Sequence, residues 1–217
     1  MEEVTIPVRD FAVTASVHGV GDTAVVVGPG AGGNRRTPLL LGLAKVIAAS
    51  RRQAILYNFV YTERRRRIPD PPELLELTTA SVGEYARRHR GARRIVYGGK
   101  SMGGRIASQA VARGTAADGL VFLGYPLHPP GRTDQLRDKH FPQVNVPMLF
   151  VQGTRDAFAR WDLLEALLAS LGDRARLFRV EAGDHSFVVP RSDGRSHAEV
   201  EGQIGQAVVG WLADERL

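Results

Sequence analysis

Short apolar runs rich in β-branched residues alternate along this chain with longer segments of helical periodicity, and that alternation leaves few folds open. "TAVVVG", following Gly21-Asp22, has no polar partner at every second residue, so it reads as a strand buried on both faces. The pattern then repeats. A helix is expected over 37–50, with Thr37 as N-cap and Pro38 at its first position, followed by a strand over 53–60. Asp70 and Glu73 bracket Pro71-Pro72 as a capping box, after which Leu74, Leu75, Thr78, Val82 and Tyr85 share one helical face. Strands are expected over 94–97, 118–124, 147–152 and 175–181, and helices over 102–113, 160–171 and 197–213. Leu163, Leu164, Leu167, Leu168 and Leu171 form the buried side of the helix at 160, and Gly172 stops it. Two alternating runs, 2–8 and 11–18, precede all this as a hairpin turning at Arg9-Asp10. The expected fold is a single α/β domain over residues 1–217, a mostly parallel doubly wound sheet with an N-terminal antiparallel hairpin.

Composition removes several functions. There is no cysteine, so thiolate nucleophiles and cysteine metal sites are excluded. The formal charge of +6 comes from scattered residues, only three of the 29 basic ones being lysine (Lys45, Lys100, Lys139). Arginine-rich composition, rather than a nucleic-acid surface, explains it, and no nucleic-acid partner is expected. The opening "MEEVTIPVRD" lacks the basic and apolar regions of a leader, and no run is apolar enough to span a bilayer. A cytoplasmic protein with no membrane partner is the expectation.

In a doubly wound sheet ligands sit beyond the carboxyl ends of the strands, where two glycine-rich turns stand out. "GPGAGG" (28–33) satisfies G-x-G-x-x-G, but a dinucleotide site needs an acidic residue at the end of the next strand, and no carboxylate occurs there until Glu63. "GKS" (99–101) resembles the end of a phosphate loop, yet the required glycine five positions before Gly99 is Arg94. The serine reading fits better. Gly99-Lys100-Ser101-Met102-Gly103 is G-x-S-x-G between a strand and a helix, and glycines two before and two after the serine permit the crowded turn.

A serine hydroxyl needs a base to take its proton and a third group to fix the base's tautomer. "VPMLFVQGTRDAF" places Asp156 beyond one strand and "RLFRVEAGDHSF" places His185 beyond the next, in the order Ser, Asp, His. His18, His89 and His197 read as surface residues, while His128 and His140 flank a proline-rich segment. Asp184 adjoins His185 and is better suited to ordering its loop. Two amides must face the developing oxyanion, where one lost donor typically costs about 3 to 4 kcal/mol. Met102 supplies one and Ala31 the other, with Gly30 as the neighbouring possibility.

"GPGAGGN", "GGKSMGGR", "GYPLHPPG", "VQGTRDAF" and "GDHSF" together make nearly the whole chain similar to the α/β-hydrolases. More narrowly it resembles the compact, lidless branch that groups with dienelactone-hydrolase-like proteins and the KANSL/TEX family of predicted hydrolases. The resemblance implies Ser101, Asp156 and His185 as triad and Ala31 and Met102 as oxyanion donors. Dienelactone hydrolases proper use a cysteine nucleophile, and Pro29 stands where many relatives have histidine, so the chain departs from them at both points. Related proteins include scaffold subunits, so an interaction module is the second reading.

"GYPLHPPGRTDQLRDKHFPQ" is too short for a cap domain, so an open site is expected, with Gly30, Tyr125 and His128 binding substrate. Arg64 to Arg67 reads as a solvated charge run and Lys100 as a surface residue at the helix start. The expectation is a serine hydrolase for small acyl esters or thioesters, with no cofactor and no metal. Oligomeric state is not legible.

Overall fold

The computed structural model describes residues 1–214 and contains one eight-stranded sheet. Its strands are β1 (Glu2–Val8), β2 (Phe11–His18), β3 (Thr23–Gly28), β4 (Gln53–Tyr57), β5 (Arg94–Lys100), β6 (Gly119–Leu123), β7 (Met148–Gly153) and β8 (Ala175–Val180). They lie in the order β1-β2-β4-β3-β5-β6-β7-β8. β2 pairs antiparallel with both β1 and β4, and every other neighbouring pair is parallel. This is the α/β-hydrolase fold expected from the sequence, without a lid. Arg9 takes a φ of 50° at the hairpin turn.

The helices are α1 (Pro38–Ala49), α2 (Val60–Glu63), α3 (Pro72–Arg90), α4 (Met102–Ala112), α5 (Trp161–Leu171) and α6 (His197–Leu212). They cover both sides of the sheet, which is why its central strands contain no exposed position. Val25 and Val27 of β3 face α1 and α6, whereas Val26 between them joins the core under α3, α4 and α5. Between β6 and β7 the chain forms only one 3-10 turn, Phe141–Gln143. Among the described residues no helix is long and apolar enough to cross a membrane.

The chain leaves β3 toward β4 on one side and later returns to β5 on the other. The crevice beyond the ends of β3 and β5 is therefore the topological switch point, where ligand sites form in such sheets.

Three local expectations are corrected. The strand expected over 53–60 stops at Tyr57: the Asn58 amide still donates to the facing Thr14 carbonyl at 3.0 Å, but Phe59 is already the cap residue of α2. Phe59, Val60 and Tyr61 are buried as the start of α2, and an apolar run satisfies burial equally well in either form. Thr37 sits at the cap position, but its hydroxyl donates to the Asn34 carbonyl instead of capping α1. Asp70 and Glu73 form no capping box, since Pro71 occupies the cap position.

Asp70 instead accepts the buried Tyr61 amide at 2.7 Å and pairs with Arg66. It ties α2 to the start of α3. Asp70→Ala should therefore cost about 1 to 3 kcal/mol in urea unfolding by orphaning a buried amide, whereas Glu73→Ala should stay within about 0.5 kcal/mol of wild type. Equal effects would restore the capping box as the better account.

Candidate active site

β5 runs directly into the turn before α4, and Ser101 stands between them with φ 50° and ψ −113°. A non-glycine residue there is strained by about 1 to 3 kcal/mol. The turn is pressed against the end of β3: a β-carbon added to Gly99 or to Gly103 would lie 2.3 Å from the Gly28 carbonyl oxygen. Glycine at both positions is what lets the backbones approach. The Ser101 amide donates to the Leu123 carbonyl at 3.0 Å, which completes the corner.

His185 and Asp156 arrive from the loops beyond β8 and β7. The Ser101 hydroxyl lies 2.9 Å from His185 Nε2, and His185 Nδ1 lies 2.7 Å from Asp156 Oδ2. The Asp156 side chain is fully buried and receives two further donors, Gln152 Nε2 at 2.6 Å and the Phe158 amide at 2.8 Å. Gln152 cannot be turned over, because its Oε1 already accepts the Tyr125 amide at 2.8 Å. With Asp156 accepting throughout, Nδ1 of His185 carries the proton and Nε2 offers its lone pair to the serine. The Phe158 ring packs on the imidazole with centroids 4.2 Å apart. Asp184 accepts the amides of Ser186 and Val188 at 2.8 and 2.9 Å, the loop-ordering task expected of it.

These groups open onto a cavity of about 480 Å3. Gly30 and Ala31 form one wall and Met102 adjoins Ser101. A β-carbon on Gly30 would lie 3.7 Å from that of Ser101, so the glycine-rich loop sits directly against the serine. Met102 is the first residue of α4, where a helical amide has no partner within its own helix. The loop is held from outside: the Gly32 amide donates to the Tyr61 hydroxyl at 3.1 Å and the Arg35 amide to Asn58 Oδ1 at 2.8 Å.

Four sequence expectations are corrected by position. Tyr125 and His128 do not line the cavity. Tyr125 is fully buried and its hydroxyl donates to the Arg137 carbonyl at 2.6 Å. His128 accepts the Arg160 amide at Nε2, at 2.8 Å. The proline-rich segment folds these side chains inward, so they fix its path. His18, read as a surface residue, is buried beside Ser16, and burial pushes its pKa down. Lys100 is no surface residue either: its ammonium is shut from solvent without a hydrogen-bond partner, 5.3 Å from the Phe187 ring centroid.

Arg64 to Arg67 follow α2 and stay outside the cavity, Arg64 lying over the Phe11 ring and Arg66 pairing with Asp70. His140 packs against Phe141 and lies 2.7 Å from the Ser108 hydroxyl. Among the described residues no three His, Asp or Glu side chains are grouped to hold a metal ion. Gln152 is one of the residues that sequence reasoning missed, although a lone polar side chain in the apolar run "MLFVQG" was a signal for it.

Burial pushes the Lys100 pKa down to about 8, against the opposing attraction of Asp156 and Asp184. Between about 8 and the ordinary lysine value of 10.5, the unfolded chain holds this proton and the folded one does not, so stability rises with pH across that window. Lys100→Met should accordingly unfold at higher urea than wild type at pH 7, with the gap closing between pH 8 and 10.5. A gap that widened as pH rose would contradict a buried ammonium.

A family described as alpha/beta hydrolase domain matches residues 21–213. Among solved structures, a lidless serine hydrolase from Xanthomonas campestris is 20% identical with a TM-score of 0.76, covering 98% of this chain and 95% of its own. A dienelactone hydrolase from Anabaena variabilis is 18% identical with a TM-score of 0.74, covering 97% and 95%. Est1E from Butyrivibrio proteoclasticus, solved with ferulic acid bound, is 11% identical with a TM-score of 0.75, covering 97% and 100%. All three share the fold.

Proposed function

The chain belongs to the α/β-hydrolase family, and from that premise we propose that it is a serine hydrolase acting on small carboxylic esters or thioesters. One observation carries the reading: Ser101, His185 and Asp156 stand in a single hydrogen-bonded row that opens onto a cavity. A binding module has no use for a serine held in a strained conformation against a correctly tautomerised imidazole. The ferulic acid bound to Est1E supports a small-molecule substrate for this cavity as well.

In the proposed reaction Ser101 Oγ adds to the substrate carbonyl while its proton passes to His185 Nε2. Asp156 stabilises the imidazolium through Nδ1, and the amides of Met102 and Ala31, or of Gly30 in its place, receive the oxyanion. His185 returns the proton to the departing alcohol or thiol as the acyl bond to Ser101 is completed. Water then enters, gives a proton to His185 and attacks the acyl carbon, releasing the acid and restoring the serine. Gln152 acts as a positioning residue, since its link to the Tyr125 amide keeps Asp156 accepting toward His185.

Hydrolysis of p-nitrophenyl acetate tests this. Wild type should turn over the ester, Ser101→Ala should abolish turnover, and Asp156→Asn should lower kcat by roughly 10³ to 10⁴ with circular dichroism unchanged. Turnover that survives in Ser101→Ala would overturn the reading.

A further inference from the structure

The lining of the cavity carries an excess of positive charge. Among the described residues, Lys100, Arg105 and Arg137 line the cavity and no Asp or Glu does. Arg105 stands one turn along α4 from the serine, its amide donating to the Ser101 carbonyl at 3.1 Å. Its Nε is shut from solvent and has no hydrogen-bond partner, while Nη1 reaches Gln109 Oε1 at 3.2 Å. Burial lowers the Arg105 pKa, and the charge of Arg137 beside it lowers it further. Glu76 is a carboxylate near Arg105, but it is outside the cavity and pairs with Arg113 at 3.3 Å.

Arg137 is fixed rather than loose. Its amide donates to the Leu127 carbonyl at 2.8 Å, its own carbonyl accepts the Tyr125 hydroxyl at 2.6 Å, and its Nη1 reaches the Pro126 carbonyl at 3.3 Å. Two like charges held together in a partly buried site repel and are poorly hydrated. A carboxylate placed between them would relieve both effects, and guanidinium groups match its two oxygens in geometry. Arg105 and Arg137 line the same cavity as Ser101, so one short substrate could present a carboxylate to the arginines and a carbonyl to the serine.

We propose that the cavity accepts half-esters of small dicarboxylic acids, the free carboxylate held by Arg105 and Arg137 while the esterified carboxyl faces Ser101. The inference rests on the serine hydrolase reading for its chemistry, but the anion site is defined by its own residues. The bound carboxylate takes no part in bond making: the ester C–O bond breaks, the alcohol leaves with the proton from His185, water closes the cycle, and a dicarboxylate departs.

The test compares isosteric pairs on the wild-type protein: monomethyl adipate against methyl hexanoate, and monomethyl glutarate against methyl pentanoate, with methanol release followed by proton NMR. At least one half-ester should exceed its neutral partner in kcat/KM by tenfold or more. That ratio should fall at least tenfold in Arg137→Gln and shrink as salt is raised. Neutral esters hydrolysed as well as both half-esters would overturn the proposal while leaving the hydrolase reading intact. Calorimetric titration of Ser101→Ala with monomethyl adipate reads the anion site without catalysis. Saturable binding lost in Ser101→Ala/Arg137→Gln would support the site even if p-nitrophenyl acetate were not hydrolysed, and no saturable binding would count against it.

Discussion

The carbonyl of Gly28 at the end of β3 occupies the space that a side chain on Gly99 or Gly103 would need, and the rest of the site is arranged around that close approach. It brings the turn carrying Ser101 against the strand that leads into the glycine-rich loop, so nucleophile and loop amides share one wall of the cavity. Volume added there cannot be absorbed by rotating a side chain, because both surfaces are backbone. The strain at Ser101 is held by this contact together with the hydrogen bond from its amide to β6.

Two sets of struts keep the other components in place. On one side the Tyr125 amide fixes Gln152, Gln152 fixes Asp156, and Asp156 fixes the tautomer of His185. On the other, Asp70 holds the Tyr61 amide, and the Tyr61 hydroxyl holds the Gly32 amide beside Ala31. Each link is buried or partly buried, where a hydrogen bond left unmade costs more than its formation contributes. The cavity thus rests on tertiary hydrogen bonds rather than on the stiffness of its loops.

What was legible in the sequence follows from range. Ser101, Asp156 and His185 could be read because each stands at a strand end, and strand ends are announced by β-branched runs giving way to glycine and polar residues. Tyr125 and His128 were placed in the right segment but on the wrong side of it, since a proline-rich connection gives no period from which to tell inward from outward. Gln152, Tyr61, Asn58 and the arginine pair depend on contacts between residues far apart in the chain, such as the 27 positions separating Tyr125 from Gln152. Asp70 shows the opposite error: a local motif matched, and a more distant amide took the carboxylate instead. Lys100 was misread because a charged residue at a helix start is ordinarily solvated, and here the ring of Phe187 lies beside its ammonium.

The central claim is that Ser101 is an activated nucleophile. Incubation with a fluorophosphonate, followed by peptide mapping in a mass spectrometer, addresses it without knowledge of the substrate. The account predicts a single adduct on Ser101, formed in the folded protein and absent after urea unfolding or in His185→Ala. A folded wild-type protein that stays unlabelled, or one labelled with equal ease in His185→Ala, would contradict it.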